Sequence, residues 1–361
     1  MKLLKPLAVI ALLGVVALLA YAAANGPTDS DDAILGPARQ ERQLVIYGVM
    51  HADAAVNDLL VHFQRRYPFV EIQNYDGDGA KTYRRFLTEV RAGKPTADFL
   101  WSSAMDLQEK LINDGFSMAY ASPEMPALPG WAHWQDLGYG VTLEPIAFVY
   151  NRKYLKSWEM PRTHAELNAM LSHQTQRFQG RVAAYNPEKS EVGMLLSSQD
   201  IRVTRDSWNL FDTLGAVDAR LYETSRDMLL NILQGNQWMG YNVIASYAVD
   251  MQKAHPELVV VYPTDYVLEL SRVAFVTAQA RHPATAKLFL DFLLSREGQG
   301  ILKRHGMGPV RNDLTVSSEQ ARIDPIRTQA IRIGPGLLSD LDSLVRAQFL
   351  RRWQQARIRG D

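Results

Sequence analysis

Two adjacent serines, Ser102 and Ser103, end the apolar run Ala97 to Ser103 and precede an apparent helix. Short hydroxyls at a helix N-terminus suit an anionic ligand, because free backbone N–H groups and the helix dipole add to their hydrogen bonds. The same residues also serve as ordinary N-caps. A second set lies in PEKSEVG, where Ser190 precedes a helix and Lys189 adjoins it. Tyr241 and Asn242 follow a further apolar run and can donate hydrogen bonds. Arg272 can hold a carboxylate or phosphate in bidentate fashion, or form a structural salt bridge with Glu144 or Glu269. Glu144 repels an anion unless paired, and can instead take the ammonium group of a zwitterion. Together these groups suit the capture of a small oxyanion.

The elements that must position them follow from hydrophobic patterning. From Gln43 onward, short apolar runs alternate with helical stretches, which predicts an α/β fold with largely buried strands. Strands are expected at Leu44 to Gly48, Phe69 to Tyr75 and Ala97 to Ser103, with helices at Ala54 to Tyr67, Lys81 to Ala92 and Met105 to Asp114. Three successive βα units imply a parallel sheet whose ligand site lies at the carboxyl ends of its strands. That rule selects Tyr47 and His51 after the first strand, residues 76–79 after the second, and the two serines after the third.

Composition narrows the classes of function. Lys plus Arg number 39 and Asp plus Glu 39, so no global field steers the chain towards nucleic acid or anionic membrane. The chain has no cysteine, which excludes disulfides and thiolate metal sites. Lys2 and Lys5 precede an apolar run from Leu7 to Ala24, read as a signal peptide over residues 1–24 that directs export to the periplasm. The length of the run also allows an uncleaved inner-membrane anchor. Residues 25–42, rich in Gly, Pro, Asp and Ser, read as a flexible lead-in. No nucleophile and base pair, dinucleotide fingerprint or P-loop is present, so no enzyme and no cofactor are expected. Asn74, Asp76, Asp78 and Gly79 match the opening of a calcium loop, but Arg85 replaces the closing Glu.

The stretch His282 to Leu302 combines a Pro-started amphipathic helix with Ser295 as the cap of a following one. With PIAFVYN at Pro145 to Asn151, FQGRVAAYNPEKSEVG at Phe178 to Gly193 and GYNVIASYA at Gly240 to Ala248, it resembles the periplasmic substrate-binding proteins of ABC importers. The similar branch is the two-lobed type II fold that includes binders of ferric ion and of phosphorylated compounds. The resemblance implies two lobes, each a mostly parallel sheet flanked by helices, joined by two crossovers that form a hinge. Residues 43–138 plus 272–361 are assigned to lobe 1 and residues 139–271 to lobe 2. It further implies a monomer that closes on its solute and delivers it to permease subunits.

The resemblance also carries a test for iron. Ferric binders place a His after strand one, a Glu after strand three and two adjacent tyrosines in the second lobe. Here His51 fits, Ser103 stands in place of the Glu, and Tyr241 and Tyr247 are not adjacent. An iron site would use His51, Tyr241 and Tyr247, too few anionic oxygens for a hard trivalent ion. The expected ligand is therefore a phosphorylated, phosphonate or carboxylate compound, bound by Tyr47, His51, Ser102, Ser103, Glu144, Ser190, Tyr241, Asn242 and Arg272. A second reading of the same cleft is a ligand-sensing adaptor for a membrane sensor kinase.

Overall fold

The computed structural model describes residues 29–48, 54–77, 79–316 and 320–358. The apolar run Leu7 to Ala24 and His51 lie outside the described residues. In the first lobe, β1 (Gln43–Tyr47), β2 (Glu71–Tyr75) and β3 (Phe99–Ser102) pair in parallel, as consecutive βα units require. Helix α1 (Asp29–Glu41) precedes β1; α2 (Ala54–Arg66), α3 (Gly79–Arg91) and α4 (Met105–Asn113) follow β1, β2 and β3. After β4 (His133–Trp134) and β5 (Gly138–Gly140), the chain leaves this sheet and returns to it as a later strand that runs antiparallel to β3.

The second sheet is built on β6 (Glu144–Asn151), every residue of which is buried. Helices α5 (His164–His173) and α6 (Thr175–Phe178) lead to β7 (Val182–Tyr185), followed by α7 (Glu191–Val203) and α8 (Ser207–Ala216). Next come β8 (Arg220–Tyr222), α9 (Ser225–Gln234), β9 (Met239–Ile244), α10 (Ala245–Gln252), β10 (Leu258–Val261) and β11 (Val267–Leu270). β7 is parallel to β8 and β9, whereas β9, β10 and β11 run antiparallel to β6. The chain passes from β5 to β6 through residues 141–143, and from β11 back to β12 (Val273–Val276) of the first sheet through residues 271–272.

Helices α11 (Pro283–Leu294) and α12 (Arg296–Arg304) cover the first sheet, with Phe289 packed edge-on against Phe63 and Phe99. Ser295 caps α12, its Oγ accepting from Gly298 N at 3.1 Å. Two expectations require correction. The lead-in at 25–42 is helical from Asp29, because Ala38 is buried against the first-lobe core and Glu41 supplies α11 with the cap it lacks. The Glu41 carboxylate accepts from Ala284 N at 3.1 Å and from Thr285 N at 2.8 Å.

Residues 272–361 do not all stay with lobe 1. β13 (Thr328–Ala330) pairs in parallel with β11 in the second sheet, so the chain crosses between the lobes a third time. Helix α13 (Ser343–Ile358) then docks on the second lobe. Buried Phe349 and Trp353 pack against Trp208 and Phe211, and Arg352 holds Asp212 through two hydrogen bonds of 2.7 and 2.6 Å. Apolar area and a forked ion pair on the lobe-2 surface decide where the tail goes.

Candidate functional site

A cleft of about 370 Å³ opens between the two sheets, at the carboxyl ends of β1, β2 and β3 on one side and of β7, β8 and β9 on the other. Five helices begin there: α3 and α4 from the first lobe, and α7, α9 and α10 from the second. Their N-terminal turns direct partial positive charge into one space. Glycines allow the crowding. A Cβ on Gly79, the first residue of α3, would overlap Ala104, which precedes α4. Gly48 has φ +107°, a left-handed conformation that L side chains avoid, and a Cβ there would meet the Trp101 carbonyl oxygen at 2.6 Å.

The side chains add charge of the same sign. Lys81, Arg84, Lys189, Arg226 and Arg272 line the cleft, against Glu188, Glu191 and Glu223. Among the described residues, no ion pair involves Arg84, Lys189 or Arg226. Two of the carboxylates are engaged: Glu191 pairs with Arg346 at 3.1 Å, and Glu188 accepts from Gln354 at 3.1 Å. The arrangement can hold a small anion with several oxygens.

Of the expected site residues, Ser102, Ser103, Ser190 and Arg272 line this cleft. Ser102 is buried, and its Oγ accepts from Ala104 N at 3.2 Å, leaving the hydroxyl proton for a ligand. Helix α4, just beyond, has no side-chain cap. Ser190 is more heavily engaged: its Oγ accepts from Gly193 N at 3.1 Å and donates to the Glu223 carbonyl at 2.8 Å. It is the N-cap of α7, and the cleft receives the helix end it organises. Arg272 donates through Nε to Glu144 at 2.9 Å and through Nη2 to Tyr247 Oη at 3.0 Å.

The structure moves four expected residues elsewhere. Tyr47 is buried outside the cleft lining, and its hydroxyl donates to Glu89 at 3.0 Å; burial and this contact push its phenol up to about 12. Glu144 is fully buried and accepts from Arg272, Thr142 and Ser246, so it has no ammonium to recognise. Tyr241 and Asn242 both donate to the buried Asp200, at 2.6 and 2.5 Å, and Tyr266 joins them at 2.8 Å. Burial raises the Asp200 carboxyl, and the three donors oppose that rise. This cluster stabilises the second lobe's interior and does not reach the cleft.

Sequence reasoning missed Arg84, Arg226, Thr224, Ser225 and Tyr185. Thr224 caps α9, accepting from Asp227 N at 3.1 Å and donating to Asp227 Oδ2 at 2.7 Å. The signal was present in Thr224-Ser225-Arg226-Asp227, a hydroxyl cap followed three residues later by an acid, after a short strand. Ser225 Oγ accepts from Ile244 N at 3.0 Å and lies 2.7 Å from the Tyr185 hydroxyl, tying the β7 and β9 strand ends together.

A profile of the bacterial extracellular solute-binding proteins matches residues 44–308. The chain belongs to that family. Its members are extracellular proteins that bind solutes. The substrate-binding protein of an ABC transporter from Agrobacterium tumefaciens is similar at 32% identity and TM-score 0.81, covering 88% of this chain and 94% of that one. AfuA, a periplasmic binding protein from Actinobacillus pleuropneumoniae with exogenous fructose-6-phosphate bound, shares the fold at 18% identity and TM-score 0.71, over 86% of this chain and 98% of that one. Iron-bound HitA from Pseudomonas aeruginosa does so at 17% identity and TM-score 0.66, over 87% and 99%. The fold of this solute-binding protein is thus type II, two mixed sheets flanked by helices. No curated protein matches the sequence. Among the described residues, no helix is long and apolar enough to cross a membrane.

Proposed function

We propose that this protein captures a phosphorylated or carboxylate solute in the cleft between its lobes and hands it to the permease of an ABC importer. The observation that carries the reading is the convergence of five helix N-termini with cationic side chains on one cleft. Each helix end contributes a fraction of a positive charge, and a dry cleft strengthens it. Export through the N-terminal segment puts the protein in the periplasm. A hinge motion at the crossovers closes the lobes on the solute, and the closed shape is what the permease recognises. The likeness to the Agrobacterium transporter protein supports the transport role, and the fructose-6-phosphate in AfuA supports a phosphorylated solute.

Iron has less to build on. Tyr241 is turned to Asp200, and Tyr247, which does line the cleft, accepts a hydrogen bond from Arg272. That leaves one tyrosine of the expected set at the cleft, held by the Arg272–Glu144 pair, too little anionic oxygen for a hard trivalent ion.

A thermal-shift screen of the metal-stripped protein against fructose 6-phosphate, inorganic phosphate, phosphonates, di- and tricarboxylates and ferric chloride tests the reading. A ligand at 100 times its dissociation constant stabilises by about 2.7 kcal/mol. Stabilisation by an oxyanion without iron is the expected result. Stabilisation by ferric ion alone would overturn it.

A further inference from the structure

The family profile ends at residue 308, yet one wall of the cleft depends on chain beyond it. Helix α13 is held on the second lobe by Phe349, Trp353 and Arg352, and from that platform it reaches back to the ligand side. Arg346 Nη1 donates to Glu191 Oε2 at 3.1 Å, and Gln354 Nε2 donates to Glu188 Oε1 at 3.1 Å. Glu188 and Glu191 flank Ser190, at the start of a helix whose N-terminus faces the cleft. Two carboxylates at that point would oppose the helix end and repel the anion that the other wall attracts.

Arg346 also sits in a field of further acids. Asp106, at the start of α4 in the first lobe, is fully buried and interacts electrostatically with Glu191, Asp340 and Arg346. Asp340 is itself paired with Arg202 at 2.6 Å, and burial pushes Asp106 up to about 7, which leaves Glu191 as the carboxylate that Arg346 pairs with directly. The side chain is about one-fifth exposed, so its charge acts in a partly desolvated setting.

Resting on the reading of the cleft as an anion site, we infer that Arg346 is a specificity-determining residue: the C-terminal helix neutralises Glu191 on the second-lobe wall, while the uncharged Gln354 holds Glu188 by a hydrogen bond, and so makes the cleft selective for anions. Arg346 acts through Glu191 and does not touch the ligand.

The test is a double-variant cycle on the full chain, with affinity for fructose 6-phosphate, inorganic phosphate and citrate read by titration calorimetry at low and high salt. Removing one neutralising charge a few ångströms from the bound anion is expected to weaken binding by about fivefold to twentyfold for Arg346→Gln at low salt. Glu191→Gln in the same chain is expected to restore it, and Glu191→Gln alone to tighten binding about twofold to fivefold, since a negative charge beside the anion is then gone while that of Arg346 remains. A purely structural role for Arg346 would not be rescued by Glu191→Gln, and absence of rescue would overturn the inference. Unchanged affinity in Arg346→Gln would overturn it while leaving the anion cleft intact. Binding of ferric ion alone by the unaltered protein would overturn both together. Should Arg346→Gln not fold, the single Glu191→Gln variant still decides, because weaker binding there contradicts the inference.

Discussion

The two walls of the cleft use the same residue types and leave them in different states. On the first-lobe wall, Ser102 accepts one backbone N–H and keeps its proton, and α4 has no side-chain cap. On the second-lobe wall, Ser190 and Thr224 each accept a backbone N–H and give their protons away, to the Glu223 carbonyl and to Asp227. A hydroxyl at a helix start is therefore a ligand group only while its hydrogen bonds remain to be made. Both walls bring helix ends and cations; the first adds hydroxyls with bonds still to make, and the second adds carboxylates, of which Glu191 is paired by the tail.

Four variants can break or sharpen this contrast. The largest effect is expected for Tyr241→Ala, which empties a buried site between Phe148 and Phe211 and removes a donor from Asp200. Urea denaturation should show a loss of about 3–5 kcal/mol, while the protein that remains folded binds its ligand as before. A large loss of affinity at full stability would return Tyr241 to the cleft.

Next comes the first-lobe pair. Replacing Ser102 and Ser103 together by Ala should raise the dissociation constant for the bound oxyanion about 10- to 100-fold, the effect of losing one hydrogen bond to a charged group worth about 1.5–3 kcal/mol. The melting temperature without ligand should hardly move. An unchanged dissociation constant would remove the first wall from the site.

A third test compares two buried carboxylates. Asp200 is met by three donors, whereas burial pushes Glu109 on α4 up to about 7 with only the Gly334 backbone to oppose it. The folded state then holds the Glu109 proton over a pH range in which the unfolded chain has released it. Stability from this group is present at pH 4 and is lost as pH rises towards 7. Glu109→Gln should therefore be more stable than the natural protein by about 1–2 kcal/mol at pH 8 and equal to it at pH 4. A difference independent of pH would mean that packing, not ionisation, sets the effect. The smallest change is expected for Ser190→Ala, about 1 kcal/mol of stability from the lost cap, with affinity altered less than about threefold.

What could be read from the sequence divides along the same line. Period and punctuation placed β1 to β3 and their helices within about two residues, since Pro68 and Gly93 stop helices for local reasons. The strand-end rule brought Ser102 and Ser103 to the cleft but not Tyr47, and Ser190 was read from its place just before a helix, a signal that is also local. Tyr241, Asn242 and Glu144 were misplaced because their partners, Asp200 and Arg272, are 41, 42 and 128 residues away, and sequence does not show which face of a buried strand meets which carboxylate. The lead-in misled for a related reason. Its Gly, Pro and Asp content reads as loop, while what orders it is Glu41 capping a helix 243 residues downstream.

The two outermost helices have a practical use. α1 packs on the first lobe and α13 on the second, and the chain has no cysteine of its own. Gln40 and Gln355 are exposed on those helices, so cysteines introduced there would be the sole labelling sites for a pair of fluorophores. Energy transfer between them would convert the angle between the lobes into an optical signal, making the protein a ready-made reporter of its own solute.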